Sequence, residues 1–155
     1  MRDFDPNYKP NPVIARIGQK ILIFNKKGKV LFLQRSAKCT RPQGWDFPGG
    51  GLDIGEGTYE GLEREVLEET ELKVQNIIPV YTELKISGTD GSPVLMIGYK
   101  GETIEEDPVP NLSWEHESYK WLTLEEAQKK ELPDFHLKMV TKALKNTILS
   151  DITST

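Results

Sequence analysis

Gly50–Leu72 reads GGLDIGEGTYEGLEREVLEETEL, and the placement of its acidic residues decides how the rest of the chain is understood. From Glu56 to Glu71 the segment carries Glu56, Glu60, Glu63, Glu65, Glu68, Glu69 and Glu71 against Arg64 alone, a local net charge of -6 in a chain whose total is -4. The remainder is therefore slightly basic, and the acidity is a local feature rather than a general solubility device. Like charges three and four residues apart each cost a helix roughly 0.2–0.5 kcal/mol, and no lysine lies inside the segment to offset them. Something outside it should neutralise this face.

At about 100° per residue, a helix gathers Glu65, Glu68 and Glu69 within an arc of roughly 100°. Leu62 and Val66, with Tyr59 beyond them, form a narrow apolar stripe alongside. Three carboxylates then converge beside the core. Oxygen-only donors suit Mg²⁺ or Mn²⁺, whereas zinc prefers His or Cys, and the stretch has neither. The competing reading is a solvated acidic face, the usual fate of a charge run. Upstream, Trp45-Asp46-Phe47-Pro48 reads as a short strand ending at a proline. Gly49-Gly50-Gly51 follows, a turn whose backbone can approach another group closely. A carbonyl in that turn, with Gly49 the candidate, would complete a metal shell opposite the helix. Glycine turns before helices also cradle phosphate through their N–H groups.

These residues resemble the signature of the Nudix hydrolases: Gly, five residues, Glu, seven residues, Arg-Glu, an aliphatic, any residue, Glu-Glu, any residue, Gly, an aliphatic. Gly50, Glu56, Arg64, Glu65, Val66, Glu68, Glu69 and Leu72 stand at the matching positions, and Gly44-Trp45-Asp46-Phe47-Pro48-Gly49-Gly50 resembles the usual approach to the motif. One slot departs, with Glu71 where the family has glycine. In the family that glycine follows the helix, where a left-handed backbone is often needed. Glutamate there costs about 1 kcal/mol or more if φ is positive, unless the helix continues past it.

The resemblance implies an α/β fold, the Nudix α/β/α sandwich with a mixed central β-sheet flanked by helices, over residues 13–148. Residues 1–12 are expected to lie extended on the surface and 149–155 to fray. It also implies divalent-metal-dependent hydrolysis of the pyrophosphate bond in a nucleoside diphosphate linked to another group. Glu65, Glu68 and Glu69 would be metal ligands, Arg64 would orient them, and Glu56 would make an outer or water-mediated contact. Arg64 paired only along the helix, to Glu60 or Glu68, is the alternative.

In related enzymes a further glutamate on a loop before a late strand acts as general base or last metal ligand. Glu115, in Ser113-Trp114-Glu115-His116-Glu117-Ser118-Tyr119-Lys120-Trp121, fits that spacing better than Glu117, with a solvated loop as the competing reading. His116 reads as an exposed loop residue or a proton carrier, and His136 as structural or surface. Arg35, Lys38 and Arg41 are the candidates for holding substrate phosphate. Trp114, Trp121, Tyr81 and Tyr99 serve equally as stacking or core residues.

The substrate is less legible. Relatives acting on ADP-ribose or dinucleoside polyphosphates tend to carry a proline or tyrosine about fifteen to seventeen residues past the last glycine slot; Ile86, Ser87 and Gly88 stand there instead. The leading expectation is a (d)NTP pyrophosphohydrolase releasing nucleoside monophosphate and pyrophosphate. The alternatives are a nucleotide-sugar or dinucleoside polyphosphate hydrolase and, in a different class, a non-catalytic nucleotide-sensing module.

The remaining sequence is consistent with one soluble domain. Its 155 residues suffice for a single core, and 37% hydrophobic with 28% charged residues is a soluble composition. No apolar run approaches about 18 residues, and Met1–Pro12 has no signal-peptide core. One cysteine, Cys39, excludes an intramolecular disulfide and accords with a cytoplasmic protein. The expected partner is a nucleotide-type small molecule; no basic stripe favours a nucleic-acid polymer, no membrane is expected, and a homodimer is left open. Val13–Phe24 and Val30–Gln34 read as strands around the turn Asn25–Gly28. Val74–Ile86 and Val94–Lys100 read as strands around Ser87–Gly91, with Tyr119–Leu122 as another. Thr123 caps one helix, and Pro133 opens a last helix with Phe135, Met139, Val140, Leu144 and Ile148 on one face.

Overall fold

In the computed structural model, residues 6–153 are described, with side chains through residue 146. The strands are β1 (Arg16–Phe24), β2 (Val30–Arg35), β3 (Trp45–Asp46), β4 (Val74–Ile86), β5 (Pro93–Thr103) and β6 (His116–Leu122). The helices are α1 (Thr58–Thr70), α2 (Leu124–Gln128) and α3 (Asp134–Thr153). They form one mixed sheet in the order β3-β2-β1-β5-β4, with β6 also paired to β2. β1 and β5 run parallel from Arg16 opposite Val94 to Phe24 opposite Glu102, and the other pairings are antiparallel. The expected strands and helices all appear. β1 starts at Arg16 rather than Val13, β5 runs on to Thr103, and β6 begins three residues earlier than Tyr119.

Strand alternation divides the core into two layers. Ile21, Ile23, Leu31 and Leu33 pack on the same side as Leu62 and Val66 of α1. Leu22, Val30 and Phe32 face Leu124 and Ala127 of α2 and Phe135, Met139 and Val140 of α3. The result is helix, sheet, helix. Leu62 and Val66 are fully buried, as their spacing predicts, while Tyr59 remains half-exposed with its ring 5.8 Å from that of Tyr99. Thr123 accepts the Glu126 N–H, and Glu126 returns a bond to the Thr123 N–H, so α2 starts with the expected reciprocal cap.

Residues 8–15 carry no helix or strand. The first five residues of the expected N-terminal segment, the side chain of Ile148 and the last two residues of the expected fraying end lie outside the described residues. Among the described residues, no helix is long and apolar enough to cross a membrane.

Glu71 closes α1 in the left-handed conformation, at φ 56° and ψ 13°, with its N–H bonded to the Leu67 carbonyl. Of the two outcomes foreseen for the departing position, the structure adopts the strained one. Glu71→Gly is therefore expected to raise stability by about 1 kcal/mol, or roughly 2–4 °C in Tm for a chain of this size. Thermal unfolding checks this, and no gain would mean that the left-handed residue carries no strain.

Candidate active site

Pro48–Gly50 lies along β1, with the Gln19 N–H donating to the Gly50 carbonyl at 2.8 Å and the Ile21 N–H to the Pro48 carbonyl at 3.0 Å. Gly49 sits between them at φ +121°, and a Cβ there would fall 2.4 Å from the Gln19 carbonyl oxygen. Only glycine fits both the dihedral and the contact. At Gly50 a Cβ would fall 2.5 Å from a Glu65 carboxylate oxygen, so the bare backbone is what lets Glu65 lie against the turn. The Gly49 N–H donates to Glu69 Oε2 at 2.8 Å. Sheet, turn and carboxylate helix are thus joined at two adjacent glycines.

The three helix carboxylates occupy different environments. Glu69 is buried, and burial pushes its carboxyl up to about 7. Glu65 is also raised by burial, although Arg64 works against the shift. Glu68 is exposed and turned to Arg64 at 3.2 Å. Arg64 is the cation that the segment requires. It bonds Glu56 at 2.6 and 3.0 Å, Glu65 at 3.0 Å, Glu68 at 3.2 Å and the Gly51 carbonyl at 3.3 Å. Pairing confined to the helix is therefore too narrow a description, because Arg64 reaches back to the loop. Its hydrogen bonds hold Glu56 below the usual carboxylate range.

Among the described residues, no three His, Cys, Asp or Glu side chains stand close enough together to hold a metal ion as they are. Their chemistry nevertheless fits a hard divalent cation. The donors are all oxygen, and Glu65 and Glu69 are desolvated carboxylates that a cation would relieve.

A second cluster gathers around Asp46, a residue to which the sequence alone gave no role. Its side chain is 1% exposed and meets Lys20 at 3.1 Å, Arg35 at 3.1 Å, Arg41 at 3.6 Å and His136 at 2.5 Å. Burial alone would raise this carboxyl; Lys20 and His136 outweigh it and hold Asp46 well below the usual range. Lys20 also donates to the carbonyls of Phe47 at 2.9 Å and Gly49 at 2.6 Å. The signal for Lys20 was present in the chain: Gln19-Lys20 interrupts an otherwise apolar central strand.

The structure brings the anticipated phosphate-binding residues together only in part. Arg35 and Arg41 converge on Asp46, with Arg35 also bonded to the Thr40 carbonyl at 2.8 Å, while Lys38 stands exposed in the loop between β2 and β3. Glu115 is half-buried. Its carbonyl accepts the Ser36 N–H, and its loop is tied to the end of α1 by Ser113 N–H to the Glu69 carbonyl at 3.1 Å.

His116 is buried rather than exposed on a loop. Neither ring nitrogen has a hydrogen-bond partner among the described residues, and burial depresses its pKa to about 4. His136 is structural, stacked on Phe47 and bonded to Asp46. Of the candidate stacking residues, Trp114 is exposed, whereas Tyr99 is buried and Tyr81 and Trp121 pack against the core.

Residues 15–143 match the model of the NUDIX domain, and the chain belongs to that family. It is 36% identical over 81 residues to an RNA pyrophosphohydrolase of Actinobacillus succinogenes, covering 52% of this chain and 35% of the relative. The matched stretch thus spans about a third of that curated relative. A MutT protein from Methanosarcina mazei Go1 superposes with a TM-score of 0.72 at 29% identity, over 89% of this chain and 99% of that one. The NUDIX domain of Shewanella oneidensis NrtR, solved with ADP ribose, superposes at 0.68 over 91% and 94%; at 19% identity it supports the fold alone.

Two outcomes are expected from this geometry. Asp46→Ala leaves buried cations unpaired and should cost about 3–5 kcal/mol in denaturant unfolding; a cost below 1 kcal/mol would show that the cluster does not depend on Asp46. For Glu69, the folded pKa lies above the ordinary 4.5. Its stabilising contribution is therefore complete below the unfolded pKa and is lost as pH rises through about 7. In metal-free urea melts, Glu69→Gln should gain on the wild type between about pH 5 and pH 8, by on the order of 3 kcal/mol. A pH-independent difference would contradict the desolvation of Glu69.

Proposed function

We propose that this protein is a divalent-metal-dependent pyrophosphohydrolase acting on a nucleoside diphosphate linked to a further group, with a (d)NTP cleaved to nucleoside monophosphate and pyrophosphate as the leading reaction. The observation that carries this reading is the buried Glu69 carboxylate, tied to the Gly49 N–H beside a desolvated Glu65 within the family motif. A solvated acidic face would leave both carboxylates in water. Glu65, Glu68 and Glu69 hold Mg²⁺ or Mn²⁺, and Glu56 supports them through Arg64. Such an ion, when bound, neutralises phosphoryl oxygens and acidifies water.

The chain's own residues supply the rest. Arg64, fixed by Glu56 and the Gly51 carbonyl, orients Glu65 and Glu68. Glu115, or a helix carboxylate not engaged in binding, takes the proton of the attacking water. Arg41 and Lys38 meet the incoming phosphates; Arg35, buried against Asp46, braces their loop. The substrate is a nucleotide reached in a cytoplasmic setting, which accords with the single cysteine.

The name of the curated relatives, RNA pyrophosphohydrolase, favours a second reading, in which the pyrophosphate bond cleaved belongs to an RNA. Dinucleoside polyphosphates, nucleotide sugars and a role in nucleotide sensing without turnover complete the alternatives. A panel of these compounds with Mg²⁺ or Mn²⁺ separates them. Turnover of one class, lowered by roughly two orders of magnitude or more in Glu69→Gln, is the expected outcome. No turnover across the panel, or equal turnover by the variant, would refute the hydrolase reading.

A further inference from the structure

Lys20 stands where a metal-binding turn has least need of a lysine. Its side chain is 12% exposed and its ammonium has three partners: the Phe47 carbonyl, the Gly49 carbonyl at 2.6 Å, and Asp46. Three donors meet three acceptors, so none remains for a substrate phosphate. Asp46 does not cancel the charge, because the same carboxylate also serves Arg35 and Arg41. One anion among three cations leaves the cluster with a surplus of about two positive charges. That surplus adjoins the turn whose N–H is bonded to Glu69.

The Gly49 carbonyl is therefore occupied, and by a cation. We propose that Lys20 is a resident cation of this site: its ammonium takes the carbonyl that the turn would otherwise offer to a metal ion. The chain then binds its divalent cation through the Glu65, Glu68 and Glu69 carboxylates, more weakly than it would without Lys20. This inference rests on the metal-dependent hydrolase reading. It also revises the part expected of Gly49, which offers its N–H to Glu69 and its carbonyl to Lys20. A fixed ammonium opposes a divalent ion by Coulomb repulsion in a partly desolvated setting, so its removal should tighten binding by about tenfold or more.

Free Mn²⁺ can be followed by electron paramagnetic resonance during titration of the substrate-free protein. Lys20→Met and Lys20→Gln are expected to bind Mn²⁺ about tenfold or more tightly than the wild type, while Lys20→Arg, which keeps the charge, should bind as the wild type does. Asp46 retains Arg35, Arg41 and His136 in all three variants, and the Gln side chain can still donate to a carbonyl, so the cluster keeps its frame. Unchanged or weaker binding in the folded neutral variants overturns the resident-cation proposal while leaving the hydrolase reading intact. That result would make Lys20 a brace for the turn. Failure of the wild type and every variant to bind Mn²⁺ overturns the hydrolase reading itself.

Discussion

The contact on which the rest of the site depends is the approach of Gly49 to β1. Its positive φ and the absence of a Cβ let the Pro48–Gly50 backbone lie against Gln19 and Lys20, within reach of two β1 N–H groups. From that position one glycine faces two ways, its N–H toward Glu69 and its carbonyl toward Lys20. Gly50, next in the chain, leaves the space that the Glu65 carboxylate fills. The acidic helix is placed by this turn as much as by its own apolar stripe.

Two charge clusters of opposite design meet there. On one side a single arginine, Arg64, holds the carboxylates of Glu56, Glu65 and Glu68. On the other a single aspartate, Asp46, collects Lys20, Arg35, Arg41 and His136. Each central residue is outnumbered, so the first cluster retains negative charge and the second positive. A polyphosphate and its counter-cation present the matching pattern. In the proposed reading, the carboxylates of Glu65, Glu68 and Glu69 beside the turn would take the cation, and the basic loop between β2 and β3 would take the anion.

Much of this was legible in the chain, for identifiable reasons. The layered fold follows from alternation in Ile21–Phe24 and Val30–Leu33 and from the helical spacing of Leu62 and Val66, patterns set by burial that a sequence displays directly. The carboxylates of α1 were legible because their spacing is local. The pairing of Asp46 with Lys20 is not legible in this way. Their partnership joins β3 to β1 across sequence-distant positions, and neither residue belongs to a local pattern beyond the polar interruption at Gln19-Lys20. His116 reads as exposed because Glu115, Glu117 and Ser118 beside it are polar, whereas in the fold it opens β6 opposite Arg35 and is buried. Arg35 reads as a phosphate ligand by its charge, and only tertiary structure reveals that its guanidinium is held by Asp46.

The decisive observation would be anomalous difference density from Mn²⁺ in a crystal of the wild-type protein grown without substrate. A peak bounded by the Glu65, Glu68 and Glu69 carboxylates, with the Gly49 carbonyl still bonded to Lys20, is the expected result. Mn²⁺ density absent from this face of α1, at concentrations that support turnover, would contradict the reading of Gly50–Leu72 as a cation site.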